Sequence, residues 1–481
     1  MFINFFVKKI TNSYFLTFFL LLLAFFLRFY KFDAIGLWGD EILTYWETEP
    51  LQTFNEIWIK TSPTEYTPPL YFYVLNIYNH LFDYSAYTIR LFHIIFGFLS
   101  LLITFFISRH LLTKSASNLV LFLLGINLFL VSISTEVRVV PLILFFYLIL
   151  ILFFFNIIKN INSKISYLDI LFLTFLNVVI LSLHPFTIVI ISAQIIFLLL
   201  LIRKNTTDSN KKLFLYISFI ILSCAIYAII NKTYILNRLD GTPLDHHKLT
   251  LKFFIGYNFK AYFTSYFLGF INLLIIAMSL WKFKNDIYKN LYILFLSIIF
   301  ICTYVFIIFV SITFSSIGGA RYWTYLVPII VILNIYYLTE VKKNIFSKAL
   351  ILLFIIYTPI NYLQKVDKPQ LRKPDTPGLI AFINESNAEY IVSQNFSPFD
   401  LYLRTGYKKI LKKEIYYENK INEFDNDFLY LCLDLVWIQT KGTYTDEIYN
   451  CYPKTANIEK FKKLKTLKFN GYAITRYKFI N

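Results

Sequence analysis

The sequence predicts an all-α polytopic membrane protein of about eleven transmembrane helices, followed by a small C-terminal α/β domain outside the membrane. Three observations carry this. Of 481 residues, 57% are hydrophobic and only 16% charged, where an average soluble domain has about 25% charged residues; mean hydropathy is +0.59. Apolar runs rich in Phe, Leu and Ile reach about 20 residues, enough to span a bilayer as a helix, the form in which a single segment satisfies its own backbone. Lys and Arg, which give a net charge of +17, gather in short loops between alternate runs, as cytoplasmic loops do. That arrangement accounts for the charge without nucleic acid, for which no binding motif is present.

Taken in order, Lys8 and Lys9 place the N-terminus in the cytoplasm, and the run from Ser13 to Tyr30 reads as an uncleaved first span. Residues 31–87 form a large outer loop. Within it, the apolar stretch Ile42 to Ile59 is interrupted by Glu47, Glu49 and Glu56 and suits a helix on the membrane surface. The run from Leu70 to Phe82 follows Pro68-Pro69 and is too short to cross. The second span, Thr88 to Leu112, ends inside at Arg109, His110 and Lys114. The third, Leu119 to Ile133, emerges at Ser134-Thr135-Glu136-Val137-Arg138. The fourth, Val139 to Ile158, returns to Lys159 and Lys164. Tyr167 to Leu201 holds two spans divided at His184-Pro185, and ends at Arg203, Lys204, Lys211 and Lys212. A seventh span runs to Ile230. An outer loop with Asp245-His246-His247 follows, and its later part, Leu249 to Tyr262, reads as interfacial. The eighth span ends at Lys282 and Lys284. The ninth, Leu291 to Ile312, emerges at Gly318-Gly319-Ala320-Arg321-Tyr322. The tenth ends at Lys342 and Lys343, and the last, Phe346 to Tyr362, exits outward. Residues 1–363 are therefore the membrane domain.

Residues 364–481 are more charged. They open on a linker with Pro369, Pro374 and Pro377, and contain strand-like runs such as Tyr390–Ser393 and Phe428–Leu433. Cys224 and Cys302 lie in apolar runs and read as packing residues. Cys432 and Cys451 are able to pair in an oxidising compartment, though spacing alone does not decide it. No Cys/His cluster has metal-site spacing.

The chemistry gathers on the outer side. Asp40 and Glu41 stand between aromatic residues where the chain first leaves the membrane, and an acidic pair there marks a site. Arg321 and Arg138 are outer basic residues against the usual bias, and a guanidinium suits bidentate phosphate binding. A carboxylate base with arginines fits group transfer from a phosphate-linked donor: the base deprotonates an acceptor hydroxyl and the arginines stabilise the leaving phosphate. Each group also has a plainer reading. The acidic pair can be a solvated face, Arg321 a headgroup anchor, Arg138 a partner of Glu136 or Glu41, and His184 a turn-packing residue.

The order of motifs resembles the GT-C superfamily of polyprenyl-phosphate-sugar glycosyltransferases. The closest likeness is to the branch of protein O-mannosyltransferases, lipid A aminoarabinose transferases and related bacterial enzymes. Asp40-Glu41 matches the family's first-loop pair, Pro68-Pro69-Leu70 its Pro-Pro-Leu element, and Arg90 with Gly97 the following span. Glu136-Val137-Arg138 matches a polar segment after the third span, and Arg321-Tyr322 with Pro328 a late Arg-Tyr. Thr67 stands where many members have His or Lys, and Val139 where Met-Tyr is common, so substrate identity does not carry over. The resemblance implies an inverting transfer on the outer face of a cytoplasmic (inner) membrane. The donor would be a polyprenyl-phosphate sugar and the acceptor a lipid, glycan or protein. Asp40 would be the base with Glu41 beside it, Arg321 and Arg138 would take the donor phosphate, and Tyr322, Pro68, Pro69 and His184 would contact substrate. Neither metal nor cofactor is expected. The rival reading is a transporter or flippase of polyprenyl-linked sugars, which calls for repeat symmetry that the sequence lacks.

Overall fold

The computed structural model describes residues 14–30, 32, 36–65, 67–160, 165–204, 209–232, 259–286, 290–313, 319–342, 344–366, 375–393, 397–406, 411, 413–433, 453, 458–469 and 472–480. The apolar runs, poor in Gly and Pro, fold as helices: α1 (Tyr14–Phe29), α2 (Gly39–Glu47), α3 (Phe54–Thr64), α4 (Leu70–Leu81), α5 (Ala86–Arg109), α6 (Lys114–Gly125), α7 (Leu128–Ser134) and α8 (Val140–Lys159). They continue as α9 (Tyr167–Leu183), α10 (Ile188–Lys204), α11 (Ser209–Ile230), α12 (Tyr266–Asp286), α13 (Leu291–Thr313), α14 (Leu326–Tyr336) and α15 (Ile345–Val366).

Six helical segments (α5, α8, α10 with the turn before it, α11, α13 and α15) are singly long and apolar enough to cross a membrane, and α6 with α7 makes a seventh if the bent pair is one span. α1, α9, the apolar part of α12, and α14 with its final turn are shorter apolar helices of 10–17 residues. Each span predicted from the sequence coincides with one of these segments. Phe15, Phe18 and Phe26 on α1, and Val305, Phe309 and Ile312 on α13, stay exposed, as lipid-facing side chains do in a multi-pass membrane protein.

Two predicted segments are divided. The third span is straight by composition, but the chain bends by 64° between α6 and α7. Gly125 ends α6, and Asn127 starts α7 by accepting the Leu130 N–H at 2.9 Å, a capping bond that supplies the new helix with a partner for an orphan donor. The surface helix expected over 42–59 is likewise two helices, α2 and α3, with Pro50 in the connection, where the ring cannot continue a helix. α4 starts at Pro68-Pro69, with Pro69 at its N-cap. His246 and His247 lie outside the described residues, as does most of the stretch expected to be interfacial.

The C-terminal region adds α16 (Thr376–Glu385), β1 (Tyr390–Ser393), α17 (Ser397–Gly406), β2 (Ile415–Tyr417), β3 (Phe428–Leu433), β4 (Phe461–Phe469) and β5 (Tyr472–Phe479). They form one sheet in the order β2-β1-β3-β5-β4. β1 runs parallel to β2 and β3, and β5 antiparallel to β3 and β4. Strand alternation splits β3. Leu429 and Leu431 join the main core with Leu379 and Ile383 of α16, while Phe428, Tyr430 and Cys432 form a second cluster on the other face. Cys224 and Cys302 are free thiols and Cys432 is disulfide-bonded; Cys451 lies outside the described residues.

Helix α17 ties this region to α2. The Leu37 N–H donates to the Tyr402 hydroxyl at 2.8 Å, and the Tyr45 and Thr405 hydroxyls are bonded at 2.9 Å. Leu37 is fully buried, so Tyr402→Phe leaves its N–H without that acceptor. The expected cost is ~1–3 kcal/mol, measurable as a lowered unfolding midpoint in detergent.

Candidate active site

The site is built on the first turn of α2. Asp40 and Glu41 are the acidic residues of that turn, where negative charge is favoured by the helix dipole. Neighbours on a helix diverge by about 100°, and the two carboxylates have different surroundings. Glu41 is fully buried. Its Oε2 accepts the Trp38 N–H at 3.1 Å, and its Oε1 accepts the Val137 N–H at 2.8 Å. Arg90 Nη2 stands 3.9 Å from Oε2. Arg90 in turn donates to Phe32 O at 2.8 Å and Gly36 O at 2.7 Å, fixing the loop that leads into α2.

Asp40 keeps an open side: its side chain is 36% exposed, and Oδ2 lies 3.5 Å from Arg321 Nη1. Arg321 comes from the short turn Ala320–Trp323 ahead of α14, 281 residues away in the chain. It is 34% exposed and also lies 3.6 Å from Glu136. Its Nη2 donates to the Tyr322 hydroxyl at 3.3 Å, and the Trp38 and Tyr322 rings flank it at 5.6 and 5.2 Å.

Arg138 is otherwise engaged. It makes a bidentate pair with Glu65 at 2.7 and 2.8 Å. Its Nη1 also donates to the Thr44 hydroxyl at 2.9 Å and to Asp40 O at 3.1 Å. Burial works against charge on this guanidinium, yet Glu65, Asp40 and Glu47 together more than restore it and hold it well above its ordinary pKa. Glu65, just before Pro68-Pro69, was not singled out from the sequence. Its one signal there is an acidic residue beside the Pro-Pro-Leu element. Pro68 and Pro69 are buried at the start of α4.

His184 sits in the turn between α9 and α10, its ring 5.7 Å from that of Tyr322. Its Nδ1 accepts the Phe186 N–H at 3.1 Å, so the ring proton belongs on Nε2. Burial, then Arg138 and Arg321, push its pKa down to about 3. The folded ring stays neutral while the unfolded one protonates near pH ~6.5, so the stability is full above that pH and falls as pH drops toward the folded value. The thermal midpoint is expected to fall more between pH 7 and 5 in the native protein than in His184→Gln.

The structure thus gathers Asp40, Glu41, Arg138, Arg321, Tyr322 and His184 on one side of the helical part. Among the described residues, no group of three or more His, Cys, Asp or Glu side chains comes together to hold a metal.

A multi-span helical body thus carries a centre of acidic and arginine side chains built on the first turn of α2. Residues 66–230 match the family model described as dolichyl-phosphate-mannose-protein mannosyltransferase. ArnT from Cupriavidus metallidurans matches over 96% of this chain and 97% of its own. The TM-score is 0.54 with undecaprenyl phosphate bound (10% identity) and 0.57 in the apo state (12% identity). The apo oligosaccharyltransferase of Archaeoglobus fulgidus matches at TM-score 0.51 and 12% identity, covering 80% of this chain and 63% of that one. At such identities the likeness is one of fold. No curated protein sequence matches. The chain thus has an ArnT-like fold, and its residues 66–230 carry the likeness to the mannosyltransferase family model.

Proposed function

We propose that the protein transfers a sugar from a polyprenyl phosphate to an acceptor hydroxyl, with inversion, on the extracytoplasmic face of the membrane. The observation that carries this is the Asp40–Arg321 contact. Glu41 is buried against Arg90 and two backbone N–H groups, and Arg138 against Glu65. Asp40 and Arg321 meet with about a third of each side chain still exposed. A donor phosphate would draw the guanidinium from Asp40, leaving the carboxylate free as base. Asp40 then takes the acceptor proton as the acceptor oxygen bonds to the sugar's anomeric carbon. The bond from that carbon to the phosphate breaks, and its electron pair leaves on the polyprenyl phosphate, whose charge Arg321 balances.

In this reading Glu41 and Arg138 position α2 rather than touch substrate. Tyr322 and His184 line the donor side, and Pro68-Pro69 fix the direction of α4. Residues 1–363 carry the transfer and 364–481 form an outer domain. The disulfide of Cys432 supports an oxidising, extracytoplasmic setting for it, as do the basic loops on the opposite side. The structures of relatives bear on the donor: ArnT is seen bound to undecaprenyl phosphate, and AglB with an inhibitory peptide and a dolichol-phosphate.

The test is purified protein in liposomes, supplied with labelled polyprenyl-phosphate hexoses and candidate lipid, glycan and peptide acceptors. Labelled product with inverted anomeric configuration is the expected result. Lipid-linked sugar crossing the bilayer without any transfer would replace this reading with a flippase.

A further inference from the structure

Arg28, in the last turn of α1, is fully buried, and the site as described makes no use of it. No carboxylate pairs with it among the described residues. Its Nη1 donates to Ala24 O at 2.8 Å and to Gly125 O at 3.3 Å, and its Nε donates to the Ser134 hydroxyl at 3.1 Å. Among the described residues its Nη2 has no hydrogen-bond partner. The three acceptors lie on α1, at the end of α6 and at the end of α7. The guanidinium therefore bridges the 64° break and reaches both half-helices that the break separates. Gly125 O belongs to a helix C-terminus, where carbonyls lack intrahelical partners and a cation is favoured.

Two glycines make room for this arrangement. A Cβ on Gly125 would lie 3.1 Å from that of Ala24, and a Cβ on Gly97 would collide with the Ser134 hydroxyl. A small crevice is lined by Arg28, Gly97, Ser134 and Pro328.

Ser134 is the last residue of α7. Directly after it come Glu136, which lies by Arg321; Val137, whose N–H holds Glu41; and Arg138, which holds Glu65 and the backbone of Asp40. We propose that Arg28 is a positioning residue: it locks the broken third span so that residues 136–138 meet the first turn of α2 in register. The inference rests on the transferase reading above, because a catalytic rate is one of its readouts.

Arg28→Gln removes the charge and most of the bridge. The expected result is a folded protein with kcat lowered on the order of 10–100-fold, as for a small misplacement of reacting groups, and donor KM unchanged. Amide hydrogen exchange should rise in residues 126–139 and stay native in the C-terminal sheet. Arg28→Lys, which keeps the charge and can reach one acceptor, should recover part of the rate. If Arg28→Gln does not fold, Ser134→Ala carries the test: it removes the Nε acceptor, together with the hydroxyl's own bond to Leu130 O within α7, and should move kcat and the same exchange in the same direction. Native kcat with native exchange in a folded variant overturns the proposal. So does a lowered kcat with native exchange over 126–139. Asp40→Asn, assayed alongside, separates the two ideas. If it is fully active the transferase chemistry falls, while the exchange data still decide the role of Arg28.

Discussion

Asp40→Asn is expected to lower sugar transfer by ~10²–10⁴-fold, the contribution of a positioned general base, with the donor still bound. The substitution keeps the shape of the side chain and removes its ability to take a proton. Because Asp40 Oδ2 is 3.5 Å from Arg321, the neutral amide should also free the guanidinium and make donor binding equal or tighter. Transfer kinetics at matched expression, with donor affinity measured separately, check both halves. Equal turnover by the two proteins would take Asp40 out of the chemistry. Equal turnover but weaker donor binding would make it a ligand.

Arg138→Met is expected to act chiefly on stability. Glu65 is buried and its two oxygens are held by the two terminal nitrogens of Arg138. Removing one partner of such a pair leaves an uncompensated charge, at about 3–5 kcal/mol. Against a typical total of ~5–15 kcal/mol, that is enough to lower the yield of folded protein. The double variant Glu65→Gln/Arg138→Met should regain much of the stability. It should stay poor in turnover, because the bonds from Arg138 to Thr44 and to Asp40 O are still missing. Unfolding in detergent and transfer rates of the single and double variants check this. A single variant as stable as the native protein, with raised donor KM, would return Arg138 to the phosphate.

The spans were legible because each is a long apolar run. Asp40 and Arg321 stood out in the sequence as charged residues at span ends, and the structure brings the two together at 3.5 Å. The pairings were not legible. The plainer reading of Arg138 pairs it with Glu136 or Glu41, whereas its bidentate partner is Glu65, 73 residues away. Only packing brings those segments together. The break at Gly125 was hidden because hydropathy continues across it. Arg28 was hidden because a single basic residue at the end of an apolar run reads as a flank, and only the fold shows that its partners are buried carbonyls and Ser134.

The bond from Leu37 to Tyr402 joins residues 365 positions apart, and it bears on the order in which the enzyme is made. At ~5–20 residues per second, α2 waits on the order of 20–70 s after synthesis for the helix that holds it. By the end of that interval the chain already has every predicted span. Its first loop still lacks the support that α17 gives to the residues leading into Asp40. Synthesis of α17 is thus a maturation step: a chain stalled before it would sit in the bilayer with its first loop unsupported.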